Sequence, residues 1–269
     1  MKNFRSVFGD KKPVIAMVHL LPLPGTPLYD AEGGVDAIVD AARKDLKALQ
    51  DADVDAVMFG NENDRPYELS VDTASTATMA YVIGQLRGDI AKPFGVNVLW
   101  DPMSTVALAA ATGASFLREI LTGTYASDMG PWTPNAGEAM RYLHRLRRPD
   151  VAMLANVSAE FAWSLDRREL ADRARSAVFS SIPDAILVSG AITGEAAEMG
   201  DLQSVKAALP NTPVLANTGV RHNTVADVLS VADGCVVGSS LKVDGDTWKP
   251  VDAARAAEFM RLAKAARGE

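Results

Sequence analysis

One cysteine, three histidines and no lysine within its apolar runs leave this chain with few of the common chemical tools. Cys235 lies inside the run GCVVG, so no disulfide framework and no Cys/His zinc spacing can be assembled, and a reducing, cytoplasmic setting is expected. A Schiff-base mechanism needs a lysine on an inner strand, and Lys242 comes only just after the last run. The GxxxxGK[ST] loop of nucleotide hydrolases is absent as well.

Positive charge is also scarce. Lys and Arg number 27 against 34 Asp and Glu, giving −7 and a pI of about 5.1. Nucleic acid and anionic membranes are therefore not expected partners, although a local basic pocket can still hold a small anion. The one basic cluster, RYLHRLRR at 141–148, reads as a solvated helix end whose cations suit the helix dipole. Long apolar stretches are missing too. PVIAMVHLLPLPG near the start contains a histidine and prolines, lacks a small-residue cleavage pattern and is too short to span a bilayer. It reads as a first strand, and no membrane insertion is expected.

What is present is a repeated alternation. Apolar residues make up 48% of 269, enough for a sizeable core. Short apolar runs fall at 14–20, 55–61, 93–100, 114–121, 151–157, 185–190, 213–219 and 234–240. Each is nearly continuous in apolar residues, as expected of parallel strands covered on both faces. Between them lie amphipathic stretches such as GVDAIVDAARKDLKALQDA and RRELADRARSAVFSS, with apolar positions at three- and four-residue spacing. Strand then helix eight times predicts an α/β fold, a (β/α)8 TIM barrel, over residues 1–269 as a single domain with no linker. A doubly wound open sheet is the alternative. The stretch 122–137, TGTYASDMGPWTPNAG, is unusually long for a connection and carries a tyrosine and a tryptophan, so a lid over the barrel mouth is expected.

Barrel chemistry collects at the C-terminal ends of the strands. His19 is the one histidine inside a strand run, readable as a satisfied core residue or as an acid/base. Asp101, Glu119 and Asp128 are further acid/base candidates. Asn61, Glu62, Asp64, Asn97, Arg118 and Asn156 are candidates for holding substrate. Arg118 and Glu119 are neighbours in a strand, so only one can face inward, and parity alone does not say which. Carboxylates on separate loops leave Mg2+ as an open option, but no spacing is diagnostic, so neither a metal nor a cofactor is assigned.

The loops after strands seven and eight are the usual phosphate cradle of such barrels. Here they read Asn217-Thr218-Gly219 and Gly238-Ser239-Ser240, with Ser189-Gly190 closing strand six. Glycine lets backbone approach an anion, and hydroxyls supplement the N–H donors. The competing reading is that these glycines are steric and the hydroxyls cap the following helices.

The segments VIAMVHLLPLPGTP, NDRPY, PFGVNVL, TGTYASDMG, PDAILVSGAITGE and ADGCVVGSSLKVDG give the chain, over nearly its whole length, a resemblance to the BtpA/SgcQ family. The resemblance implies a TIM barrel allied to phosphate-binding barrels, with one member named for photosystem I biogenesis and others associated with sugar utilisation. It also implies a Glu-Asn pair at the end of strand two, where this chain has Gly60-Asn61, and an Asp with a following Lys-His after strand five, where it reads ANVSAEFAW. These differences suggest a divergent branch. The expected function is that of an isomerase, epimerase, lyase or hydrolase acting on a small phosphorylated sugar or polyol. The alternative is a non-catalytic assembly or regulatory factor. Homo-oligomerisation is left open.

Overall fold

Near-continuous apolar runs become strands buried on both faces, and the polar residues that end them form one layer. The computed structural model describes residues 2–269. Its strands are β1 (Val14–His19), β2 (Ala56–Gly60), β3 (Phe94–Asn97), β4 (Phe116–Ile120), the short β5 (Tyr125–Ser127) and β6 (Gly130–Trp132), then β7 (Ala152–Asn156), β8 (Ala162–Ser164), β9 (Ala185–Val188), β10 (Val214–Ala216) and β11 (Cys235–Val237). The helices are α1 (Lys2–Phe8), α2 (Gly34–Asp51), α3 (Thr73–Leu86), α4 (Pro102–Thr112), α5 (Ala136–Arg145), α6 (Leu170–Ser181), α7 (Met199–Ala208), α8 (Val225–Val231) and α9 (Ala253–Arg267). Eight strands close into a parallel barrel in the order β1-β11-β10-β9-β7-β4-β3-β2. All eight expected runs supply its staves.

The period of two along each stave sorts side chains between two cores. Val14, Ala16 and Val18 of β1 face the helices, while Ile15 and Met17 join Met58, Phe116, Leu154 and Leu215 inside the barrel. His19 continues that inner parity. By the same count Gly60, Asn97, Arg118, Asn156, Ser189, Asn217 and Gly238 point inward at the C-terminal ends of the other staves. At the opposite end, Phe4 and Phe8 of α1 plug the barrel, with the Phe8 ring 5.3 Å from that of Phe116. The strand-helix count left no place for this short helix.

Four helices, α3, α4, α5 and α9, begin where a side chain takes their free N–H groups. Asp72 accepts from Ser75, Asn135 from Glu138, and Asp252 from Ala254 and Arg255. The helices then bury three- and four-spaced faces, as Ile38, Val39, Ala42, Leu46 and Leu49 do in α2.

The long connection after β4 is a hairpin rather than bare loop. β5 and β6 pair antiparallel, and β8 from the β7–α6 connection adds to β5. Tyr125 and Trp132 pack against Trp100 and Ile120 in an aromatic cluster beside the barrel mouth, the Trp100 and Trp132 rings 5.3 Å apart.

Candidate functional site

Arg118 is the hub of the inward layer. It is 7% exposed and reaches three elements. Its Nη1 donates to Asn217 Oδ1 at 3.2 Å, and its Nη2 donates to Asn97 Oδ1 and lies 3.5 Å from Glu62 Oε1. Asn97 in turn donates to the Arg118 carbonyl at 2.9 Å, and Asn217 donates to Ser189 Oγ at 2.8 Å. A guanidinium shared among acceptors from several strands is rigidly placed.

His19 Nε2 stands 3.7 Å from Glu62 Oε1, both side chains buried. Burial, then Lys242 and Arg118, hold the His19 ring well below its usual range, so it is neutral near pH 7. Burial also pushes the Glu62 carboxyl up, against the pull of Arg118. His19 Nδ1 and Glu62 Oε2 are buried without a hydrogen-bond partner, as are Asn156 Oδ1 and Trp100 Nε1. Buried polar atoms without a partner cost about 1–3 kcal/mol each, and these four belong to residues that wall two small chambers at the mouth, His19 and Glu62 one and Asn156 and Trp100 the other. Trp100 also holds a left-handed backbone at φ +68, the kind of strain that collects at ligand clamps. A neutral imidazole beside a carboxyl can pass a proton to or from a bound molecule.

Beside this mouth lies a cavity of about 680 Å3. Gly219 and Gly238 to Ser240 line it, together with Arg221, His222 and Arg255. Arg255 Nε donates to the Ser240 carbonyl at 3.1 Å. Gly219 sits at φ +61, and a Cβ there would overlap the Ala196 backbone nitrogen, so this turn tolerates no side chain.

Other expected residues have different work. The Asp101 carboxylate is filled by the N–H groups of Val71, Met103 and Ser104 and the Ser104 hydroxyl; it caps α4 and is no free acid. Asp128 is exposed in the β5–β6 turn and lines none of the chambers at the mouth. Glu119 takes the outward parity, where Thr105 and Asn97 donate to its Oε1 at 2.7 Å and the Ile120 N–H to its Oε2. It meets the mouth only as wall, and burial pushes its carboxyl up to about 8. Asn61 accepts from the Leu99 N–H and donates to Asp64, which also takes the Leu23 N–H, so both brace the loops around the mouth. Burial raises Asp64 to about 6. Ser189, Gly190, Asn217 and Thr218 do not line the wide cavity. The Ser189 hydroxyl receives the Asn156 and Asn217 amides, and Thr218 Oγ1 accepts from the Gly190 N–H while donating to the Glu195 carbonyl. The hydroxyls of Ser239 and Ser240 line the cavity but are engaged with Thr247 and the Val220 carbonyl.

Several residues at the site carried no sequence signal of their own. Glu160, bonded by the Thr193 hydroxyl at 2.7 Å, is pushed up by burial and walls the mouth with Arg118. Arg255 arrives from α9. Lys242 is buried 4.0 Å from Asp45 of α2 and lines none of the chambers, but its charge reaches His19 and Glu62. Among the described residues no group of three or more His, Cys, Asp or Glu could hold a metal ion. No described helix is long and apolar enough to cross a membrane.

Comparison with known proteins agrees with the barrel. The sgc region protein SgcQ of Escherichia coli is 48% identical over 260 residues, 97% of each chain. The photosystem I biogenesis protein BtpA of Synechocystis is 33% identical over 256 residues, 94% of this chain and 88% of that one. Tryptophan synthase of Mycobacterium tuberculosis superposes with a TM-score of 0.60 over 97% of this chain and 96% of that one, at 17% identity, a likeness of fold alone. The BtpA family profile matches residues 10–265, and with these relatives it assigns the chain to the BtpA family.

Proposed function

We propose that this protein is an enzyme acting on a small phosphorylated sugar or related polyol, by isomerisation, epimerisation, lysis or hydrolysis. One observation carries the reading: the cavity lined by Arg221 and Arg255 shares the walls Gly219, Gly238 and Ser239 with a chamber that ends on the buried His19 and Glu62 pair. Phosphate sits against the Gly219 and Gly238 turns, where backbone approaches closely and the two guanidinium groups supply charge. His19, neutral, takes or returns a proton, with Glu62 as its acid partner. Arg118 and Glu160 hold the hydroxyls beside the reacting carbon.

A thermal-shift series tests this. Inorganic phosphate and phosphorylated sugars at a hundredfold excess over their dissociation constants stabilise the fold by about 2.7 kcal/mol, and each kcal/mol moves the midpoint of a chain this size by about 2–4 °C. The matching unphosphorylated sugars give no shift, and Arg221→Glu, an exposed position, removes the response. Equal shifts with and without the phosphoryl group would overturn the reading.

A non-catalytic assembly role is the second reading. It is favoured by Trp163, 78% exposed, and Leu165, 59% exposed, on and beside β8. Under that reading Trp163→Ser lowers capture of a protein partner and no phosphorylated compound shifts the midpoint.

A further inference from the structure

The closed barrel order puts β1 and β7 four staves apart in either direction, so they stand on opposite sides of the mouth. His19 ends β1, and Glu160 follows β7 by four residues. Both wall the chamber that also holds Glu62 and Arg118. A Cβ at Gly238 would stand 3.2 Å from His19 Nε2, so glycine there keeps that edge of the ring clear. Across the mouth the Thr193 hydroxyl donates to Glu160 Oε2 at 2.7 Å and fixes the carboxyl, while Oε1 accepts no hydrogen bond among the described residues. Burial acts on the two groups in opposite senses, pushing the Glu160 carboxyl up toward its acid form and the His19 ring down toward its free base. A base and an acid therefore face one space from opposite staves.

Two such groups suit inversion at a carbon, because one removes a proton from one face and the other delivers a proton to the far face. We propose that His19 and Glu160 are the two proton-transfer residues of an epimerisation, acting on the carbon beside the carbonyl of a phosphorylated ketose. This rests on the phosphate reading given above and narrows its reaction types to one. His19 Nε2 takes the proton, and the C–H electron pair forms a C=C bond as the carbonyl π pair moves onto oxygen. Arg118, the cation lining the same chamber, stabilises that enolate oxygen. Glu160 then gives its proton to the same carbon from the other side, and the oxygen pair returns to C=O. The carbonyl is restored and the centre inverted. The His19 imidazolium and Glu160 carboxylate reset by exchanging one proton through solvent.

Proton NMR in D2O with the full chain tests this on two pairs of probes, each pair differing only at the carbon beside the carbonyl. The pairs are D-ribulose 5-phosphate with D-xylulose 5-phosphate, and D-fructose 6-phosphate with D-allulose 6-phosphate. At least one pair is expected to interconvert, its product carrying solvent deuterium at that carbon from the first turnover. Glu160→Gln lowers interconversion about a hundred- to ten-thousandfold, yet the epimer whose C–H faces His19 still exchanges with solvent. His19→Gln leaves exchange in the other epimer alone. A purely structural role would lose both exchanges together. The label in the product is read on the unaltered chain and does not depend on a variant folding. Transfer of the substrate's own proton to the product, or folded variants that lose both exchanges alike, would overturn the two-residue assignment. If the probes raise the unfolding midpoint but none exchanges, the epimerisation falls and the phosphate reading stands. If none binds, the phosphate reading falls and this inference falls with it.

Discussion

Arg118 Nη1 donates to Asn217 Oδ1 at 3.2 Å, joining β4 to the end of β10 across the barrel mouth. Removing that guanidinium takes the donor away from Asn97 Oδ1, Asn217 Oδ1 and Glu62 Oε1. Arg118→Met is expected to cost about 3 kcal/mol, a fall of roughly 6–12 °C in midpoint. Arg118→Lys recovers only part, since an ammonium lacks the planar fork that reaches several acceptors. Scanning calorimetry checks this, and an unchanged midpoint in Arg118→Met would contradict the hub.

Asp101 is assigned to helix capping and not to chemistry. Asp101→Ala is expected to lower stability by about 1–2 kcal/mol in a denaturant titration. Affinity for inorganic phosphate stays within about twofold, because the side chain lies outside the cavity. Loss of binding with stability intact would return Asp101 to the site.

The turn at Gly219 can be tested against a neutral glycine. A Cβ at Gly219 would overlap the Glu195–Ala196 backbone, whereas at Gly113, φ +78, it meets nothing within 4 Å. Gly113→Ala carries the left-handed cost alone, about 1 kcal/mol. Gly219→Ala must also displace residues 195 and 196 and is expected to cost at least about 2 kcal/mol more. Equal unfolding midpoints for the two variants would contradict the close approach.

Glu119 gives a pH signature. Its carboxyl is raised from 4.5 to about 8, foremost by burial. A carboxyl whose folded value lies above its unfolded one binds a proton in the native state that the unfolded chain has released. Its contribution to stability is thus complete below about pH 4.5 and is lost as pH rises through about 8, at up to about 1.4 kcal/mol per pH unit. Glu119→Gln removes that slope, so the difference between variant and parent grows in the variant's favour from pH 5 to 8. Parallel stability profiles would contradict it.

The barrel was legible because its signal is repeated. Eight buried runs separated by amphipathic helices leave few topologies, and each run named its stave. The plug helix α1 was not legible, since Phe4 and Phe8 reveal their role only when the barrel supplies Phe116 to receive them. At the site, residues on strand ends were findable and their tasks were not. His19 and Arg118 lie on inner parity, but Arg118 against Glu119 was undecided until Leu117 was seen facing the helices and Phe116 the interior. Asp101 looked like a rim acid because an N-cap and a catalytic carboxylate share one address, the first residue before a βα-loop helix. Arg255 comes from the last helix, far along the chain from the turn it touches, and no local pattern announces such a contact.

The most direct test of the account is the 31P resonance of inorganic phosphate titrated with the protein and with Arg221→Glu. Phosphate held in the cavity between Gly219 and Ser240 predicts saturable broadening with the parent chain and a return toward the free linewidth with the variant. Broadening of the same size with both, or none with either, would contradict a phosphate site at the end of β10 and β11.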